Sequence, residues 1–165
     1  MTLREIQQPI KDRYRDEPDA AEITLRAVGT IADGAMSCSV DLGRALYAAG
    51  AHPGVGGSGA SACSGDLLLG ALAACAQITC QMVAANMGLD DATISVTVEG
   101  DLDLRGTLGT ADVPVGFKAI RVEFAFDGDV PPDRLERLKE RTERYCVVFQ
   151  TLLTPPPIEV RWVTG

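Results

Sequence analysis

At 165 residues, 46% apolar and 23% charged, the chain has the length and composition of one soluble domain with a real core. Its net charge of −8 argues against nucleic acid, whose affinity comes mainly from Lys and Arg on phosphate, and against an anionic membrane surface. The polar start MTLREIQQPIKDRYRDEPDA lacks an export-signal pattern, and five irregularly spaced cysteines then imply free thiols in a reducing cytoplasm.

Residues 1–21 read as a charged N-terminal arm interrupted by Pro9 and Pro18, ahead of a single domain over 22–165. EITLRAVGTIA and AMSCSVDLG read as two short strands, with Asp33-Gly34 as the hairpin turn between them. The Gly/Ser-rich stretch GRALYAAGAHPGVGGSGASACSG is expected to be an exposed loop. A helix should follow from about Gly65 to Met87, with Ser64 as N-cap, Asp66 in the first turn and Gly88 as C-cap. It is apolar on nearly all sides, as a buried central helix would be. Its apolar run, broken by Gln77, Thr79 and Gln81, reads as too short and too polar to span a bilayer.

TISVTVEGDLDLRG and GFKAIRVEFAFDG alternate apolar and polar residues, the pattern of half-buried antiparallel strands. PPDRLERLKERTERYCVVFQTLL reads as a second helix, amphipathic through Leu135, Leu138, Thr142, Tyr145 and Phe149. IEVRWV closes the chain as a strand. The fold class is α+β: an antiparallel sheet with two main helices.

GVGGSG formally matches a dinucleotide-binding fingerprint. It lacks the preceding strand, the immediate helix and the acid about 20 residues on, so a flexible loop is the better reading. His52 is the only histidine and no C-x-x-C pair is present, so no metal site and no cofactor are expected. Attention falls on Cys38, Cys63, Cys75, Cys80 and Cys146. Cys75 and Cys80 lie about 140° apart around one helix, too far for a disulfide, and Cys63 lies about 15 Å or more from Cys75 along the axis. A partner for Cys75 must come from elsewhere, and Cys146 is the one thiol on another helix. A buried structural role for each is the alternative.

SGDLLLGALAAC, with its helix ending MVAANMGL, the strand TISVTVEGDL and the late ERYCVVFQTL resemble the OsmC/Ohr family of osmotically induced and organic hydroperoxide resistance proteins. The resemblance runs from about residue 22 to the end. It implies an intertwined homodimer, with Cys75 as peroxidatic and Cys146 as resolving cysteine, reducing organic hydroperoxides at the expense of a thiol reductant without metal or haem. An apolar surround suits a greasy peroxide but raises a thiol pKa, and Cys75 is beyond reach of its own helix's N-terminus, so a cation is expected beside it. Peroxidase members of the family pair an Arg with a Glu near the helix start. That Glu position is Gly65 here, with Asp66 beside it. Arg13, Arg15, Arg44 and Arg144 are candidates for the Arg, Arg15 being preferred because an arm can reach across a dimer. The alternative function is a catalytically silent relative holding a small apolar ligand at the dimer interface.

Overall fold

In the computed structural model, which describes residues 2–32, 36–89 and 92–164, the charged arm is helical. α1 (Leu3–Asp16) starts on a capping box: Glu5 donates its N–H to Thr2 Oγ1, and Thr2 donates its N–H to Glu5 Oε2. The T-x-x-E signal stands in the sequence among the charges and prolines of the expected arm. Pro9 is tolerated inside the helix, and a 3-10 turn over Pro18–Ala21 follows.

The chain divides into two compact units, Met1–Gly70 with Thr97–Glu123 and Ala71–Val96 with Phe124–Gly165. The first holds a three-stranded antiparallel sheet in the order β1 (Val28–Ile31), β2 (Ser37–Asp41) and β3 (Leu46–Gly50). Cys38 faces Ile31 on one side and Ala49 on the other. The first two strands were expected, while their Asp33-Gly34 turn lies outside the described residues. β3 corrects the expected loop: Leu46 and Tyr47 pair with Asp41 and Val40 although Ala and Gly fill the rest of the strand. Low strand propensity hid it, and pairing with β2 overrides that propensity. Residues 22–27, read as part of the first strand, form none; Ile23 and Leu25 there are exposed.

α2 (Ser64–Asn86) runs as expected and ends at Gly88, whose φ of +66° is the left-handed conformation of a helix stop. Two expectations for it need correction. It is long and apolar enough to cross a membrane by length and composition. It is also buried on one face only, through Leu72, Ala76, Cys80, Val83 and Ala84, with Ile78 exposed. That buried face packs as a core helix does: Cys80, Val83 and Ala84 join Leu89 and Leu138 in the core of the second unit. Gln77 Nε2 also donates to the Ile94 carbonyl at 2.8 Å, tying the helix to the next strand.

β4 (Thr93–Asp101) and β5 (Ala119–Asp127) pair as a second sheet. The Lys118 N–H donates to Asp101 O, and Gly128 lies against Ala92, so the strands run antiparallel. Ile94, Val96 and Val98 turn inward as their alternation requires. A short helix, α3 (Leu104–Leu108), lies between the two strands, capped by Asp103.

The second long helix is not continuous. α4 (Pro132–Tyr145) and α5 (Val147–Leu153) meet at Cys146, whose backbone is extended (φ −74°, ψ 106°). Leu138, Thr142 and Cys146, each one turn beyond the last, are the buried positions, and Tyr145 is exposed rather than part of the apolar face. The closing segment IEVRWV is not a strand here. Ile158, Val160 and Trp162 keep their alternation but are 83%, 74% and 91% exposed, so among the described residues nothing covers its apolar edge.

Candidate functional site

Cys75 lies midway along α2, half-buried, in the second unit. Opposite it sits the break between α4 and α5. A helix leaves its first backbone N–H groups without internal partners. At the start of α5 those of Val147 and Val148 reach the Cys75 sulfur. The Cys146 thiol and the Thr79 hydroxyl, one turn along α2, also donate to it. Burial pushes the Cys75 thiol up, but the Val148 N–H, then Cys146, Thr79 and the Val147 N–H outweigh it, and the thiol titrates below its ordinary range.

Cys146 is shifted the other way. It is 1% exposed and its N–H donates to Thr142 O at 3.0 Å, closing α4. Burial pushes its thiol up most, partly offset by the Phe149 N–H, and the neighbouring Cys75 sulfur, which favours a protonated donor beside it, adds to the rise. The two sulfurs are thus unequal: the surroundings of Cys75 favour its thiolate, and those of Cys146 favour the protonated thiol that hydrogen-bonds to it. Two cysteines 71 positions apart in the chain meet because a helix breaks at the second of them.

Within this single chain the groups that lower the Cys75 pKa are hydrogen-bond donors. The expectation of a cation considered only the distant N-terminus of α2, whereas the backbone donors belong to α5. The sole cue in the sequence was the run CVVF after a charged amphipathic stretch, which by propensity alone continues a helix.

The remaining site candidates, Arg144 apart, fall in the first unit. Arg15 pairs with Asp12 at 2.9 Å within α1, both exposed. Asp66 is at the third position of α2 and accepts the Cys63 N–H at 2.9 Å, reaching back as the acid of a capping box does. That bond, then the Cys63 thiol, holds its carboxyl below the usual range. Cys63 therefore takes the capping place expected of Ser64. Gly65 packs its Cα face toward Phe117, Cys63 and Leu102. Arg13 pairs with Glu17, and Arg144 stacks over Tyr145. His52 Nδ1 accepts the Gly54 N–H and caps a 3-10 turn over Pro53–Val55, a local structural duty. Among the described residues no group of three or more His, Cys, Asp or Glu is placed to hold a metal ion.

Cys80, five residues beyond Cys75, has the opposite environment. It is 4% exposed against Leu138 and Thr142, and burial raises its thiol pKa, slightly relieved by the Thr142 hydroxyl. All five cysteines are free.

A family model described as OsmC-like protein matches residues 57–161, well over half of the chain. Solved structures share the fold at low identity. An OsmC-like protein of Mycoplasma pneumoniae is 15% identical with a TM-score of 0.65, covering 81% of this chain and 90% of its own. An organic hydroperoxide resistance protein OsmC of Legionella pneumophila is 20% identical with a TM-score of 0.60, covering 81% and 92%. The organic hydroperoxide resistance protein OhrB of Bacillus subtilis is 17% identical with a TM-score of 0.51, covering 81% and 93%. No protein of curated function matches the chain.

Proposed function

The chain belongs to the OsmC-like family, and from that premise we propose that it is a thiol-dependent peroxidase that reduces organic hydroperoxides through Cys75 and Cys146. The observation that carries this reading is the hydrogen bond between the Cys75 and Cys146 thiols at the start of α5, where the Val147 and Val148 N–H groups also reach Cys75 and favour its thiolate.

The Cys75 thiolate attacks the terminal oxygen of the hydroperoxide. The O–O bond breaks, Cys75 becomes a sulfenic acid, and the alkoxide leaves as the alcohol after taking a proton. The Cys146 sulfur then attacks the sulfenic sulfur, forming the Cys75–Cys146 disulfide and releasing water with the Cys146 proton. A dithiol reductant restores both thiols by exchange and is itself oxidised to a disulfide. The N–H groups of Val147 and Val148 hold the thiolate without a mobile charge. In the single chain Arg15 pairs with Asp12 and Asp66 accepts from Cys63, so these steps are written without the expected activating pair.

The working form in this reading is a homodimer in the cytoplasm. The uncovered alternation of Ile158, Val160 and Trp162, and the exposed Ile78 of α2, supply apolar surface that a second copy would bury. Light scattering on the purified protein tests it: twice the chain mass supports the dimer, and the mass of one chain defeats it. For the activity, cumene hydroperoxide and dithiothreitol are supplied together and peroxide is followed. Catalytic loss that disappears in Cys75→Ser supports the peroxidase; loss no faster than without protein rejects it.

A further inference from the structure

A cavity of about 120 Å³ lies in the second unit, lined by Cys80, Ile94, Phe126, Leu138 and Thr142 among others and by neither Cys75 nor Cys146. Its size is close to that of an engineered apolar cavity of about 150 Å³ that holds benzene. Its walls are apolar except at Thr142 and at the charged side chains of Lys139 and Glu143. Thr142 is 2% exposed, and its Oγ1 makes no hydrogen bond of ordinary geometry. The Cys80 sulfhydryl beside it is a weak contact at best.

That orphan is informative. A threonine inside a helix ordinarily donates its hydroxyl to the carbonyl four residues back. Thr151 of α5 does so, to Val147 O at 2.8 Å. Thr142 does not, and its hydroxyl is left beside Cys80 at the cavity wall. A buried hydroxyl without a partner costs on the scale of a full hydrogen bond. One water would find only Thr142 and a thiol there, fewer than the roughly three partners that buried waters keep. Lys139 is already engaged with Glu136 at 2.6 Å, which leaves the Glu143 carboxylate as the net charge of the lining, so nothing there calls for an anionic ligand.

We propose that this cavity is a binding site, separate from the Cys75–Cys146 pair, for a small neutral apolar molecule carrying one hydroxyl, of the size of a phenol or a short-chain alcohol. The apolar body fills the space against Ile94, Phe126 and Leu138, and the hydroxyl satisfies Thr142 Oγ1. Binding requires no thiol chemistry, so it stands or falls independently of the peroxidase reading.

The test is a titration of the reduced full-length protein with phenol, followed by amide and methyl NMR, with toluene as a probe of like size that lacks the hydroxyl. The expected result is saturable shifts at Cys80, Ile94, Leu138 and Thr142, with phenol bound in the millimolar range. Thr142→Val keeps the shape and should weaken phenol roughly fivefold to tenfold while leaving toluene within about twofold. Ile94→Phe narrows the cavity and should remove both, its amide spectrum reporting that the fold persists. Shifts absent up to about 10 mM, shifts confined to Val147 and Val148, or a Thr142→Val effect equal for the two probes would overturn the proposal.

Discussion

Cys75 and Cys80 sit on one helix, little more than a turn apart, and have opposite chemistry. Cys75 faces the start of α5 and meets backbone N–H donors; Cys80 faces Leu138 and Thr142 and meets mainly hydrocarbon. Cys75 is half-buried and Cys80 buried, and burial raises both thiols, so burial alone does not decide a thiol's state. What separates them is whether the burying element ends or continues at the point of contact. A helix interior presents side chains; a helix start presents unpaired N–H groups.

The largest effect that would sharpen this contrast is loss of the nucleophile. Cys75→Ser should bring hydroperoxide turnover to background, whereas Cys80→Ala should retain it, forming the same disulfide at about 1 kcal/mol lower stability in urea unfolding. Equal losses of activity would erase the distinction. Next is Cys146→Ser: one equivalent of peroxide should still be reduced, leaving a Cys75 sulfenic acid that dimedone captures.

A smaller effect isolates the N–H donors. Val147→Pro removes one at the first position of α5, where proline is tolerated, and the residue before it, Cys146, is already extended as proline demands. Alkylation of Cys75 at neutral pH should slow roughly twofold to fivefold. The pH dependence has a fixed sign. Cys75 is lowered, so its alkylation should switch on below the ordinary thiol range and fade only as pH falls through that lowered value. Cys146 and Cys80 are raised and should react above that range. The smallest effect is Arg15→Ala, an exposed pair with Asp12: stability should change by less than about 0.5 kcal/mol and turnover by less than about twofold. A large loss of turnover there would put the activating charge back on the arm.

Much of this fold was legible in the sequence because it rests on patterns that single segments display. The Gly88 stop of α2 and the alternation through Ile94, Val96 and Val98 are local. β3 was not legible, since its Ala and Gly residues adopt a strand only through pairing with β2. The meeting of Cys75 and Cys146 could be named from helix geometry and resemblance. The source of the lowered pKa could not, because propensity carries the helix straight through Tyr145, Cys146 and Val147. The break exposes N–H groups that no side-chain inventory contains. The closing segment differs for the converse reason: its alternation is intact, but among the described residues no strand pairs with it and Ile158, Val160 and Trp162 stay exposed.

The central claim is that Cys75 and Cys146 are one reactive pair and Cys80 a bystander. Mass-spectrometric mapping of thiols after one equivalent of cumene hydroperoxide addresses it most directly. The account predicts a Cys75–Cys146 disulfide with Cys38, Cys63 and Cys80 still reduced. A disulfide or sulfenic acid on Cys80, or all five thiols intact, would contradict it.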